Sequence, residues 1–229
     1  TRRLAMGGRR KDGSDNWPLA WAEDGHLYTA YGDGYGFEPQ LDHKLSMGFG
    51  VVTGGPTDFI ARNIRSDGER LGSGKEGEKA SGLTSIDGVI YILVRNADHE
   101  GRASRLGWST DHTKSWSWAD WSFAEFGHTS FIDFGRDYAG ARDGYVYITS
   151  HDNPSAYVQA DHFVLGRVPK EQIGDRRAYE FFVKLDERGE AVWSPSIGDR
   201  RPVFVHAGQC RRSSISYHPG LGRYLLWQQ

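Results

Sequence analysis

Four times the chain repeats one unit: an apolar strand, a turn built on Asp-Gly or Pro-Gly, and a return strand centred on an aromatic residue. The copies are WPLAWAEDGHLYTAY (17–31), SGLTSIDGVIYILVR (81–95), YAGARDGYVYITSH (138–151) and SSISYHPGLGRYLLWQ (213–228). A degenerate fifth copy, ADHFVLGRV (160–168), pairs with YEFFVKL (179–185). Five units in 229 residues allow about 46 residues each, close to the roughly 40–50 of a four-stranded propeller blade. The spacing therefore predicts an all-β fold, a five-bladed β-propeller, as a single domain over 1–229.

Alternation within HLYTAY and VIYILV supports strands, since each run is β-branched or aromatic and too short between turn signals for a helix. The one helical stretch is VPKEQIGDRRAYEFF, where Pro169 opens a turn and Gly174 stops it. A doubly wound α/β sheet lacks its amphipathic segments here. The 30 Gly, 8 Trp, 11 Tyr and 11 Phe fit abundant turns with much aromatic surface to bury or to stack on.

A formal net charge of −2 supplies no overall basic field for nucleic acid, and the one basic cluster, Arg2, Arg3, Arg9, Arg10 and Lys11, reads as a solvated arm. No apolar run approaches the ~18 residues that cross a bilayer, so no membrane insertion is expected. The chain opens on Thr1, which leaves room for a removed export signal. Cys210 is the single cysteine, so an internal disulfide and a multi-cysteine zinc site are excluded. Nine histidines show no helical H-x-x-x-H, and no cofactor or metal ligand set is read, although a calcium ion in a central funnel is compatible with the pattern. GDGYGF lacks dinucleotide-fingerprint spacing, and GSGKE lacks the first glycine and the final Ser/Thr of a phosphate loop.

SDNWPLAWAEDGHLYTAYGDGYGF places Asp15 and Asp33 on either side of a hairpin turning at Asp24-Gly25. That register sets Asp15 opposite Gly34 and Asn16 opposite Asp33. Carboxylates on adjacent strands then lie roughly 5–10 Å apart, a range that includes both the ~5–5.5 Å of retaining and the ~6.5–9.5 Å of inverting glycosidases. Like charges beside the aromatic wall of Trp17, Tyr35 and Phe37 would drive the two acidities apart, leaving one acid and one base. Gly32, Gly34 and Gly36 would let a substrate approach the backbone. The plainer account is turn chemistry, with Gly-Asp-Gly a common turn and Ser-Asp-Asn a common cap.

Ser109 to Trp116 (STDHTKSW) resembles the Asp-box of sialidases and other propellers, with Thr113 where glycine is usual. The box is a structural turn and speaks to fold alone. Gly13 to Phe37, GEKASGL (77–83), FGRDYAGARDGYVYI (134–148), GRVPKEQIGDRRAYEFF (166–182) and SISYHPGLGRYLL (214–226) closely resemble the family described as domain of unknown function 4185, some members of which are endo-D-arabinanases of glycoside hydrolase family 183. The resemblance spans almost the whole chain. It implies a five-bladed propeller that cleaves internal α-D-arabinofuranosidic linkages of D-arabinan, as in arabinogalactan or lipoarabinomannan. Two aspartates act near the domain start, carried here onto Asp15 and Asp33. The implied mechanism is inverting, with Asp15 as base and Asp33 as acid by analogy with other five-bladed hydrolases. It also implies a polysaccharide substrate, a secreted or cell-envelope location, and a family length that continues beyond Gln229.

Residues at the starts of the other inner strands are expected to face the funnel, which nominates Lys79, His128 and Asp161, then Asn96 and Ser214, with Trp17 and Tyr35 as substrate-binding aromatics. Two other functions are compatible with the pattern: a carbohydrate-binding propeller without catalysis, and a sialidase-like hydrolase, which needs three arginines and a tyrosine nucleophile.

Overall fold

A computed structural model describes residues 13–227, and the basic cluster between Arg2 and Lys11 lies outside them. The protein is all-β, with strands in antiparallel sheets joined by short turns. The first sheet is a four-stranded meander of β1 (Leu19–Trp21), β2 (Leu27–Gly34), β3 (Leu45–Thr53) and β4 (Ile60–Ile64). The second repeats it with β5 (Lys79–Ile86), β6 (Val89–Arg95), β7 (Ser104–Ser109) and β8 (Ser117–Phe123). The third runs outward through β9 (Thr129–Asp133), β10 (Tyr145–His151), β11 (Ala160–Pro169), β12 (Glu180–Leu185) and β13 (Ala191–Ser194), with β14 (Phe204–Cys210) also on β11. A last hairpin, β15 (Ser214–His218) and β16 (Arg223–Trp227), joins that sheet where β15 lies parallel to β9, Ile215 beside Ile132.

The sheets pack face to face, which is the arrangement of propeller blades. Tyr28, Phe49 and Val51 of the first sheet meet Leu83, Ile92 and Trp116 of the second in one core cluster. Leu93, Leu106 and Phe123 of the second meet Phe131, Ile148 and Phe181 of the third in another. The innermost strands β1, β5, β9 and β15 converge, and β5 is buried along its whole length. Small and hydroxylic residues make this approach possible: Ser81 donates to the carbonyls of Leu93 and Thr129, and a Cβ on Gly82 would stand 2.8 Å from the Ser130 Cα.

The third repeat departs from its predicted position. Its inner strand is 129–133, upstream of the quoted 138–151, because a short helical turn at Arg136–Tyr138 separates the two strands of that hairpin. The degenerate unit does pair as predicted, Gly166 with Phe181, but β11 and β12 widen the third sheet outward and supply no inner strand. The stretch around Pro169 forms two 3-10 turns, Lys170–Gln172 and Arg176–Ala178. Among the described residues no helix is long and apolar enough to cross a membrane.

Candidate functional site

A cleft of about 620 Å³ runs between the four inner strands. Its walls are the segment from Asp15 to Leu19, Ser81–Leu83, His128 to Asp133, and Arg212 to Ser216 with Trp227. Of the residues nominated from sequence, Asp15, Trp17, His128 and Ser214 line it. Each stands at or just before an inner strand, as does Arg212, which sequence reasoning passed over although it precedes SISYH as His128 precedes TSFID.

The hairpin register differs from expectation. Leu19 pairs with Thr29 because the turn places three residues, Glu23 to Gly25, between Ala22 and His26, whose backbones bond at 3.0 Å. One extra residue on the first strand, Asn16 at φ 55°, then brings Asp15 opposite Gly32, with Asp15 N to Gly32 O at 2.8 Å and Gly32 N to Asp15 O at 2.7 Å. Asn16 is turned away from Asp33 and donates to the Ala80 carbonyl of the second sheet. Asp15 and Asp33 are therefore close in register, Asp33 one residue beyond the partner of Asp15. The glycines serve the chain itself: a Cβ on Gly34 would overlap the Gly13 carbonyl and Ser14 Oγ, and one on Gly36 the Asn63 amide and the Tyr31 ring.

Asp33 does not line the cleft. At φ 49° it turns its carboxylate onto the buried Lys79, Nζ to Oδ2 2.7 Å, and onto Lys44 at 3.1 Å. Burial pushes its pKa up, but the hydrogen bonds and charges of the two lysines outweigh that and hold the carboxyl below its ordinary value. The free protein thus keeps Asp33 ionised, the opposite of what its assignment as acid needs. Lys79 itself is spent on Asp33.

Trp17 packs on Phe37 at 4.9 Å and Tyr31 at 5.5 Å between ring centroids, leaving its other side to the cleft. Tyr35 does not line the cleft, and its carbonyl accepts from Asn63 Nδ2 at 2.8 Å. Asn96 is fully buried and binds the loop carbonyls of Gly77 at 2.8 Å and Gly74 at 3.2 Å. Asp161, expected at the funnel, lies away from it: β11 is separated from inner strand β9 by β10, and the Asp161 carboxylate accepts from Gly208 N at 2.8 Å.

Sequence reasoning also missed Asp133, a cleft residue whose carboxyl is pushed up by burial, partly offset by the N–H groups of Gly135 and Phe134. It stands at the far end. Asn16 bonds Ala80, and Ser81 bonds Thr129, so Asp15 lies level with the start of β9. Asp133 is four residues further along the strand, about 13 Å at ~3.3 Å per residue, beyond the ~9.5 Å limit for a glycosidase pair. His128 and His151 face each other at 6.4 Å. Burial, with the charges of Arg95 and Arg212, holds His128 well below its usual value and so neutral. Among the described residues, no group of three or more His, Cys, Asp and Glu could hold a metal ion.

No protein-family model matches the chain, and no curated protein matches it. Among solved structures the chain is similar to a candidate hydrolase from Bacteroides ovatus, at 15% identity and a TM-score of 0.50. That match covers 95% of this chain and 63% of the other, so this chain spans less than two thirds of its neighbour. At such identity the similarity shows a shared fold. A looser match, at 12% identity and a TM-score of 0.38, is to the phage phi92 endosialidase, over 85% of this chain and 27% of that one.

Proposed function

We propose that the protein is a glycoside hydrolase that binds a polysaccharide along the inner-strand cleft and cleaves internal α-D-arabinofuranosidic linkages of D-arabinan, on a propeller whose full count is five blades. The observation that carries this reading is the placement of Asp15 at the cleft wall opposite Gly32, with Asp33, paired to buried Lys79, as the next residue along. The choice of D-arabinan rests on the motif resemblance. The fold shared with the Bacteroides ovatus protein is compatible with a hydrolase.

The roles first assigned by analogy are exchanged in this proposal. Asp33, held ionised by its lysines, takes the base role, which requires the substrate to reach past the cleft wall, and Asp15, a wall residue, takes the acid role. Trp17 offers an aromatic face to a sugar ring and Ser214 a hydroxyl to its substituents. Incubation with mycobacterial arabinogalactan should release oligosaccharides. Asp15→Asn and Asp33→Asn should each lower the rate at least ~10²-fold, the lower range for a positioned acid or base. Full activity in either variant removes that residue from the pair.

A second reading has its own support. Both carboxylate oxygens of Asp33 are engaged by lysines, as befits a structural ion pair in a carbohydrate-binding propeller. Saturable binding without products, unchanged in Asp33→Asn, would establish it.

A further inference from the structure

Cations gather where the cleft meets the starts of β5, β9 and β15. Lys79 and Arg95 lie directly opposite each other across β5 and β6, and both are buried to within 2%. Like charges placed so repel. Lys79 is neutralised by Asp33. Arg95 is not: its Nη1 donates to the Ala80 carbonyl at 3.2 Å, its Nε is buried without a partner, and no carboxylate forms an ion pair with it or with Arg212 among the described residues. Tyr157 ties the two guanidiniums into one cluster, with Arg212 5.6 Å from its ring centroid and its hydroxyl close to Arg95. Burial and the charge of Arg212 lower Arg95 to about 10, which leaves it a cation at neutral pH, and exposed Asp15 pulls only weakly the other way.

A buried cation without a counter-charge is unfavourable unless something supplies the anion. Next to it the cleft offers an opening. Arg212 and His128 are both wall residues there, and Nδ1 of neutral His128 is buried with no partner. Among the described residues, Lys79, Arg95 and Arg212 share this end with Asp15 and Asp33, while Lys44, 40% exposed, pairs with Asp33 from outside the cleft. Without the exposed Lys44, these three cations against two carboxylates leave about one uncompensated charge, which matches a carboxylate better than a phosphate at nearly two.

We propose that this end of the cleft is an anion subsite in which Arg212 and His128, backed by Arg95, bind a carboxylate carried on the substrate glycan. The inference deepens the polysaccharide reading above and rests on it for the glycan, while its geometry stands on the cation cluster. It makes the preferred substrate an acidic polysaccharide, or an arabinan bearing an acidic substituent.

Calorimetric titration of the whole chain with D-glucuronate, D-glucose and inorganic phosphate tests it. Glucuronate should bind saturably where glucose does not. Arg212→Gln, at an exposed position that the fold tolerates, should weaken glucuronate about tenfold or more, as for loss of a charge-assisted hydrogen bond. Asp15→Asn should tighten it by removing a nearby negative charge. Equal binding of glucose and glucuronate, or unchanged affinity in Arg212→Gln with an unaltered melting temperature, overturns the subsite. Phosphate binding tighter than glucuronate overturns its assignment to a carboxylate. Cleavage of unsubstituted arabinan without glucuronate binding would refute the subsite and keep the hydrolase, and glucuronate binding without cleavage of any glycan would do the reverse.

Discussion

Thr113 is a buried β-branched residue at φ 70°, and its Oγ1 has no partner. The rest of the Asp-box turn explains why it is held there. Ser109 Oγ accepts from Thr113 N at 2.9 Å, Asp111 accepts from Ser115 N at 2.9 Å and Lys114 N at 3.1 Å, and Trp116 is locked into the core beside Phe49. A left-handed non-glycine residue costs about 1–2 kcal/mol, and an unpaired hydroxyl adds to that. Thr113→Gly should therefore raise stability by about 1 kcal/mol after the lost methyl contact is counted. The midpoint of denaturant unfolding measures it, and an unchanged or lower midpoint would show that the turn carries no strain.

At the scale of elements, Glu78 joins the second sheet to the end of the first. Immediately before β5 and only 4% exposed, it accepts from Arg70 and from Arg105, each at 2.9 Å, and both guanidiniums lie 5.0 Å from the Trp118 ring centroid. Removing one partner of a buried pair costs about 3–5 kcal/mol. Both arginines keep some water, so Glu78→Gln should cost about 3 kcal/mol, the low end of that range. Equilibrium unfolding in urea reads the loss, and a change under ~1 kcal/mol would reduce the network to a surface pair.

At the scale of the whole molecule, packing of the sheets buries two histidines that remain neutral. His128 is held far down by burial and by Arg95, His151 and Arg212, and His151 is lowered by burial against the lift of its bonds to Ser155 and Val158. Both folded values lie below the unfolded value near 6.5. Between them the unfolded chain binds more protons, so stability rises with pH there and is lost as pH falls below about 6.5. Melting temperature should decline from that point in the wild type and more shallowly in His128→Gln. Equal slopes in the two proteins would mean that folding does not hold the His128 pKa below its unfolded value.

The strand-turn-strand repeats, the Asp-box and the hairpin bearing Asp15 and Asp33 could be read directly, because alternation and turn residues act over a few neighbouring positions. The same local logic found Trp17, His128 and Ser214, which stand where each repeat begins. It misplaced Asp15 by two partners, since the turn holds three residues and the bulged Asn16 bonds Ala80, 64 residues away. It also missed Arg95, Arg212 and Asp133, and mistook β11 for the start of a separate unit. Sequence by itself determined that this chain forms aromatic-rich β-hairpins with carboxylates at one hairpin end. Which charges those carboxylates meet, and which residues share a cleft, only the tertiary structure decided, because converging inner strands bring together side chains far apart in sequence and burial then sets their charge.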